Sequence, residues 1–241
     1  MTIWRALRNR ATWIVQAIVL AAMVVPSVAW AGSLSVMPVR VEVAPDKQFC
    51  SLTIGNDGTE DVTVQVRGYR WRQQPDGTDI LDDANSIVVN PSIVQIPAGA
   101  KKLIRCGLPP QTGSQENTFR LLVNELPRPA ASPGTLQTLL QLSIPVFRAQ
   151  PDARPMLSWS LSDAGLLVIS NNGTRHARVM DLAVRGGSMV EPALGHRSFY
   201  LLAGASRTVD PGITPSAVIG VDIAAEDGAF IALDRRPARG P

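Results

Sequence analysis

Two cysteines and two histidines are the side chains best suited to redox or metal chemistry in this 241-residue sequence. Cys50 and Cys106 lie at the start of one predicted strand and at the end of another. We expect these strands to be antiparallel neighbours, so the two cysteines can form a disulfide, with two buried free thiols as the alternative. A metal site is poorly supported, because the sequence has no Cys-x-x-Cys pair and only His176 and His196 could assist. Both histidines are predicted to be surface residues.

Catalytic motifs are missing from the sequence. It contains no nucleophile elbow, no Walker loop and no His-Glu-x-x-His motif. We therefore expect a binding protein without a cofactor and without a small-molecule substrate. A carbohydrate-active or hydrolytic enzyme built on sandwich domains is the least supported alternative.

Residues 1–31 are typical of a cleaved signal peptide. Arg5, Arg8 and Arg10 form a basic start without acidic residues, and an apolar run continues to Trp30. The tripeptide at 29–31 fits the A-x-A cleavage pattern, which predicts export and a mature start at Gly32. An uncleaved membrane anchor is the alternative, because the run approaches membrane-spanning length. Loss of the leader lowers the formal charge from +3 to zero, so the basic residues are poor evidence for a nucleic-acid partner.

The rest of the chain, about 210 residues, predicts an all-β protein with two sandwich domains. Short alternating segments are separated by glycine and proline. A polar, proline-containing break predicts a boundary between an N-terminal domain over 32–149 and a C-terminal domain over 150–241. The first domain has the seven strands expected of an immunoglobulin-like sandwich. They are residues 34–43, 50–54, 62–71, 93–96, 101–106, 119–126 and 136–147.

The last of these strands is long and apolar on one face. Its even-numbered residues share that face because strand side chains alternate. A core strand of the sandwich is the ordinary interpretation. The alternative is an edge strand that lends its apolar face to a partner by β-augmentation, since a long apolar edge is otherwise an aggregation hazard. The residues of this face are Leu136, Thr138, Leu140, Leu142 and Ile144.

Seven segments, taken together in their order and spacing, carry a family resemblance. They are Val36–Val43, Leu52–Gly58, Val66–Trp71, Ile96–Gly99, Phe119–Pro127, Ser143–Phe147 and Ile169–Thr174. The sequence resembles the PapD-like periplasmic pilus chaperones over nearly all of residues 33–233. The Ile-Pro-Val-Phe form of residues 144–147 looks like the archaic branch, similar to chaperones of Csu-type and spore-coat-U-like pili.

The resemblance implies a boomerang of two immunoglobulin-like domains that caps pilus subunits in the periplasm and delivers them to an outer-membrane usher. Such a subunit lacks its last strand, and the chaperone fills the groove by donor-strand complementation. The apolar strand of this chain, Leu136 to Ile144, would be the donor. In the free protein, two copies could cover each other's apolar strands and form a homodimer. The alternative function is a structural or adhesive sandwich component of the pilus or envelope.

The family also anchors the subunit's terminal carboxylate on two basic residues between the domains. The first, an arginine on the first strand, matches Arg40. The second is usually a lysine near the end of the donor strand, but this sequence has Pro145 there. We hypothesise that Arg120 substitutes for it, because Arg120 begins the strand antiparallel to the donor and should lie close to Pro145. A solvated rim position is the alternative for Arg120, and Arg105 is a third, weaker anchor candidate.

Overall fold

The computed structural model describes residues 34–83, 87–111, 113–128, 137–186, 189–192, 198–226 and 230–234. The predicted signal peptide, Leu136 and His196 lie outside these ranges. Apart from a one-turn 3-10 helix at Pro215–Ala217, the regular elements described are β-strands, which confirms the all-β prediction. No helix among the described residues is long and apolar enough to cross a membrane.

The first sandwich consists of two sheets. One has the strand order β1-β3-β8-β6, and the other has the order β2-β10-β9-β4-β5, with β7 also paired to β4. The strands are β1 (Leu34–Met37), β2 (Val41–Val43), β3 (Phe49–Asn56), β4 (Val62–Gln73), β5 (Asp79–Asp83), β6 (Val88–Asn90), β7 (Ile93–Ile96), β8 (Lys101–Gly107), β9 (Asn117–Glu125) and β10 (Gln141–Arg148).

Residues at every second position of these strands build the core between the two sheets. Cys50, Leu52 and Ile54 of β3 are buried, as are alternate residues of β4, β8 and β9. This period of two is what a strand with one buried face requires. The alternation therefore gives both the strands and the face that each one buries.

Three predicted elements of this sandwich differ from the structure. The first predicted strand is two strands, because the chain crosses from one sheet to the other between Met37 and Val41. The connection between the predicted strands 62–71 and 93–96 contains two further strands, β5, which pairs with β4, and β6, which pairs with β8. The last strand begins at Gln141 rather than at residue 136. Its partner β9 ends at Glu125, and Pro127 has no amide hydrogen with which to extend the ladder.

The second sandwich also has two sheets, with the strand orders β11-β12-β16 and β14-β13-β17-β18, and with β15 paired to β13. The strands are β11 (Leu157–Leu161), β12 (Leu167–Asn171), β13 (Ala177–Gly186), β14 (Met189–Pro192), β15 (Phe199–Leu201), β16 (Ser206–Val209), β17 (Val218–Ala225) and β18 (Phe230–Asp234). Its core contains Leu167, Ile169, Leu182 and Val221.

The same asparagine turn closes one strand in each sandwich. The Asn56 amide donates to the Ile96 carbonyl at 3.0 Å, and its oxygen accepts the Gly58 amide at 3.0 Å. In the second sandwich Asn171 donates to the Leu201 carbonyl at 3.1 Å and accepts the amide two residues on. Both asparagines are fully buried, so these bonds satisfy polar groups that water cannot reach.

The two sandwiches share an apolar cluster. Trp71 and Phe147 of the first pack with Leu202 of the second, and Tyr200 lies edge-on to Trp71 with ring centroids 5.6 Å apart. Gln73 donates to the Tyr200 carbonyl at 2.8 Å and accepts the Leu202 amide at 2.9 Å. Strand pairing changes from one sandwich to the other between residues 148 and 157. The domain bounds at 149 and 150 stay a prediction.

Cys50 and Cys106 form the predicted disulfide. They are directly opposite each other on the antiparallel strands β3 and β8, and their Cα atoms are 5.0 Å apart. The bond lies inside the first sandwich, and both cysteines are buried. It therefore links two strands of one sheet that are 56 residues apart in the sequence.

Candidate functional site

Strand β10 has an outer edge that is only partly occupied. On one side it pairs with β9 along its whole length, from Gln141 to Arg148. On the other side β2 pairs in parallel with Val146, Phe147 and Arg148 alone. Among the described residues, the outer edge from Gln141 to Pro145 has no strand beside it.

The backbone orientation of β10 follows from one hydrogen bond at its start. The Glu125 amide donates to the Leu140 carbonyl at 2.9 Å, so the peptide groups of Leu140 face β9. Since the direction alternates along an antiparallel strand, the backbone groups of Gln141 and Ser143 face the open edge. Pro145 also falls on that side, where a missing amide hydrogen breaks no bond within the sheet.

The even-numbered side chains of this strand are not equally available to a partner. Ile144 is only 5% exposed and lies in the core of the first sandwich, and Leu142 packs against the same core. Leu140 is half-buried, whereas Thr138 is exposed. Ile144 was predicted to be a donor residue, but the structure uses it to fill its own core. The predicted donor face is therefore open only toward its N-terminal end.

The open edge ends between two of the predicted anchor residues. Pro145 is directly opposite Arg120 on β9, as the sequence hypothesis requires. On the other side Val146 is opposite Val41, so Arg40, which precedes Val41, comes next to Pro145 when this register is continued. The fold thus places Arg40 and Arg120 on either side of Pro145, where the open edge of β10 ends.

Arg40 is held by acidic side chains of both sandwiches. Its Nη1 pairs with Glu226, which follows β17 of the second sandwich. Its Nε lies 3.3 Å from Oε1 of Glu42 on β2. The same two glutamates bind arginines of the second sandwich: Arg178 Nη1 is 2.6 Å from Glu226 Oε1, and Arg175 Nη2 is 2.9 Å from Glu42 Oε2. The five side chains form one chain of alternating charges across the two sandwiches.

This chain of charges lines a cavity of about 500 Å³, together with Ala153, Arg154 and Pro155 from the connection between the sandwiches. Burial lowers the pKa of Arg40, but hydrogen bonds to Glu226 and Tyr200 outweigh burial and raise it above its ordinary value. Burial raises the pKa of Glu226, and its bonds to Arg40 and Arg178 outweigh this and hold it below its ordinary value. Both side chains are thus charged at neutral pH.

Arg120 is in a different environment from Arg40. Its guanidinium carbon lies 3.7 Å from the centroid of the Trp71 ring, and its side chain is 15% exposed. Nη1 donates to the Ser143 hydroxyl at 3.1 Å, and Nη2 lies 3.3 Å from Asp79 Oδ2. Burial lowers the pKa of Arg120. These contacts tie the side chain to β4, β5 and β10, where it stacks as a cation on an aromatic face.

Arg105, the third predicted anchor residue, lies on β8 and shares a second cavity with Arg40. This cavity is about 410 Å³ in volume and is also lined by Pro38, Phe49 and Ser51. It borders only the first sandwich. Arg40 thus faces both cavities, whereas Arg120 lines neither of them.

A buried acid and a buried histidine complete the contact between the sandwiches. Glu116 Oε2 accepts the His176 amide at 2.8 Å and lies 2.8 Å from His176 Nδ1. The His176 ring stacks on Phe147 with the centroids 3.7 Å apart. The prediction that His176 is a surface residue is wrong, because the neighbouring sandwich covers it. In the described ranges no group of three or more His, Cys, Asp or Glu could hold a metal ion.

Sequence reasoning missed Glu226, Arg178 and Arg175. Arg40 and Glu226 are 186 residues apart, and neither is part of a recognisable motif. Glu42 had a local signal, because residues two apart on a strand share a face with each other. That signal would have paired Glu42 with Arg40, but not with the second sandwich.

Known structures share this fold at low sequence identity. A chain of the CsuC–CsuE chaperone–tip adhesion subunit pre-assembly complex, from the archaic chaperone–usher Csu pili of Acinetobacter baumannii, is 20% identical with a TM-score of 0.70. The match covers 86% of this chain and 100% of that chain. The chaperone YadV is 15% identical, with a TM-score of 0.63 and coverage of 85% and 100%. A chain of the Salmonella enterica SafA pilin–SafB chaperone complex is 14% identical, with a TM-score of 0.62 and coverage of 85% and 97%.

These likenesses confirm two immunoglobulin-like sandwich domains of the chaperone–usher type. No curated protein sequence gives a significant match. A family model described as "Pili and flagellar-assembly chaperone, PapD N-terminal domain" matches residues 33–154, which is half of the chain. The matched residues include β1 to β10, the disulfide and Arg40, Arg105 and Arg120. The chain therefore belongs to the family of pili and flagellar-assembly chaperones with a PapD N-terminal domain.

Proposed function

We propose that this pilus-assembly chaperone holds its subunits by donor-strand complementation along β10. The observation that carries the proposal is the open edge from Gln141 to Pro145, which ends at a position flanked by Arg120 on one side and by Arg40 on the other. An added strand would bond to the outward backbone groups of Gln141 and Ser143. Its end would then lie beside two guanidinium groups.

The apolar contribution comes from the N-terminal part of the donor segment. Leu136, Thr138, Leu140 and the outer part of Leu142 would enter the groove, while Ile144 stays in its own core. Burying one leucine side chain contributes roughly 1.5–3 kcal/mol, before the cost of ordering the segment. Strand addition through the backbone tolerates different subunits, and the leucine positions select among them.

The terminal carboxylate of the subunit would bind at the end of this edge. Arg40 is the first contact, since its guanidinium lines the cavity between the sandwiches. Arg120 and Arg105 remain candidates for a second contact. Arg120 is next to Pro145 but largely covered, whereas Arg105 faces the cavity of the first sandwich.

The cellular setting follows from the same proposal. Residues 1–31 direct the chain to the periplasm as a cleaved leader, and the protein acts there without catalytic turnover. It belongs to the archaic Csu-type branch, takes spore-coat-U-like pilins as subunits and delivers them to an outer-membrane usher. Related complexes that contain a tip adhesion subunit or a pilin support a subunit as partner. In the absence of a subunit, two copies cap each other's open edges.

Two adjacent leucines allow a matched test of the donor strand. Leu140 lies on the predicted donor face, and Leu139 is 42% exposed on the opposite face of the segment. The tagged full-length protein is co-expressed with a spore-coat-U-like pilin and purified from periplasmic extract. We expect Leu140→Glu to lose the subunit and Leu139→Glu to retain it, with both variants folded by circular dichroism.

Equal retention of the subunit by both variants would overturn donor-strand binding through this face. Recovery of the wild-type protein in sheared pili would instead support the alternative of a structural or adhesive pilus component. Size-exclusion chromatography of the same variants without a subunit tests the capped dimer. Leu140→Glu should be monomeric at concentrations at which the Leu139→Glu variant still dimerises.

A further inference from the structure

One carboxylate already occupies the arginines between the sandwiches. Glu226 places one oxygen on Arg40 Nη1 and the other on Arg178 Nη1, the latter at 2.6 Å. The two arginines come from different sandwiches, and they hold the carboxylate between them. This is the arrangement that a bound chain terminus would need, because two guanidinium groups can bind the two oxygens of one carboxylate.

The surroundings of this pair are those of a built site. The Arg178 guanidinium lies 5.4 Å from the centroid of the Tyr200 ring. The backbone amide of Glu226 also donates to the Arg178 carbonyl at 3.1 Å, which fixes the acid beside the arginine. All three charged side chains line the cavity between the sandwiches, so a ligand that enters the cavity meets them.

We propose that Arg178 is the second contact for the subunit's terminal carboxylate, and that Glu226 occupies this position until the subunit displaces it. This inference rests on the proposed function and identifies the residues of its anchor. In related chaperones a lysine near the end of the donor strand is usually the second anchor, and this chain has Pro145 at that position. The inference gives the role of this lysine to Arg178. It also makes Glu226 an internal competitor that weakens the binding of free carboxylates.

The geometry favours Arg178 over Arg120 for this part. Arg178 already shares a carboxylate with Arg40, whereas Arg120 shares none with it and pairs with Asp79. The Arg120 guanidinium is also committed to the Trp71 ring and to Ser143. A carboxylate on Arg40 can therefore reach Arg178 by replacing Glu226, without any movement of the first sandwich.

The test uses a small carboxylate in place of a subunit. The full chain, with ¹⁵N-labelled arginine, is titrated with N-acetylglycine at neutral pH and low salt, and the Nε–Hε signals are followed by NMR. N-acetylglycinamide is the uncharged control ligand. We expect Glu226→Gln to bind N-acetylglycine about tenfold more tightly than the wild type, since one charge-assisted competitor is removed. Adding Arg178→Gln to this variant should remove the gain.

Two matched substitutions control for net charge and for the other arginine. Asp82→Asn removes an acid of the edge strand β5 that pairs with Arg72 on β4, and it should leave binding unchanged. Arg120→Gln in the Glu226→Gln background should keep the tenfold gain. Should the Arg178→Gln double variant unfold, Arg178→Lys is used in its place. Lysine keeps the positive charge but cannot form the bidentate contact of a guanidinium group. We expect this variant to lose about half of the affinity gain, measured on a logarithmic scale.

Three results would overturn the inference: no gain in Glu226→Gln, a gain that survives Arg178→Gln or Arg178→Lys in full, or a gain lost with Arg120→Gln. The titration contains no subunit and leaves the donor strand intact. A failure of donor-strand binding would therefore leave these results unchanged, and a failure here would leave the Leu140→Glu experiment unchanged.

Discussion

Phe147 stacks on His176 across the two sandwiches, with ring centroids 3.7 Å apart and an angle of 14° between the ring planes. Phe147 is the penultimate residue of β10, so the strand with the open edge also carries the aromatic contact to the second sandwich. Binding along β10 and the relative position of the sandwiches thus share one element.

Truncation of this ring tests its part in the fold. Phe147 is 2% exposed, and Phe147→Ala should lower the free energy of unfolding in urea by about 3–5 kcal/mol because it leaves a cavity. Phe49→Ala is the control, since Phe49 is 78% exposed and its loss should change stability little. If the two variants lost similar amounts of free energy of unfolding, the contact of Phe147 with His176 would not be a source of stability.

The buried asparagine of the second sandwich gives a second prediction. Asn171→Ala removes the side-chain bonds to the part-buried Arg175 carbonyl and to the buried Leu201 carbonyl. We expect the melting temperature to fall by several degrees, since each unpaired buried group costs about 1–3 kcal/mol. The neighbouring Asn172 is exposed and its side chain donates to the Ser158 hydroxyl at the surface, so Asn172→Ala should have a much smaller effect.

Loss of the disulfide should destabilise the first sandwich. The bond closes a loop with a sequence separation of 56, for which the chain-entropy estimate is about 4 kcal/mol. The Cys50→Ala, Cys106→Ala double variant should therefore unfold at a lower urea concentration, as should the wild type after reduction. A loss of less than about 1 kcal/mol would show that the chain-entropy estimate does not apply here.

The ionisation of Glu226 should make the stability of the fold depend on pH. Its folded-state pKa is held below the ordinary value of 4.5, so the ionised form stabilises the fold. This contribution is present above pH 4.5 and is lost as the pH falls through the lower, folded-state pKa. The melting temperature of the wild type should exceed that of Glu226→Gln at neutral pH, and the difference should shrink below pH 4.5.

The exposed acid Asp152, in the connection between the sandwiches, provides the control for that measurement. Asp152→Asn should melt in parallel with the wild type across the same pH range. A constant difference between wild type and Glu226→Gln from neutral pH to acid would contradict the assignment of the charge to Glu226.

The sequence was informative wherever a single strand or turn carried the signal. Alternation located β3, β4 and β9 to within a few residues and gave their buried faces. The turns at Asn56 and Asn171 also carry a local signal, because an asparagine side chain can accept the amide two residues further along the chain. In contrast, β5 was hidden, because Asp79, Asp82 and Asp83 give it the composition of a loop.

Contacts between the sandwiches could not be predicted in the same way. Arg40 pairs with Glu226 and Phe147 stacks on His176, both from the second sandwich, and no periodicity links residues so far apart in the sequence. The burial of His176 has the same origin, since each strand pattern reports only on its own sandwich. The length of the open edge could not be predicted from the sequence either. It is set by the position at which β2 begins to pair with β10, and that pairing is visible only in the structure.

That junction has a consequence for any strand that lies along β10. Because β2 already occupies the positions beside Val146, an incoming strand can advance only as far as Pro145 and must halt there. β2 is thus a fixed stop that sets the register of the guest strand. Once its last residue meets this stop, every side chain upstream is assigned to a definite position along the edge.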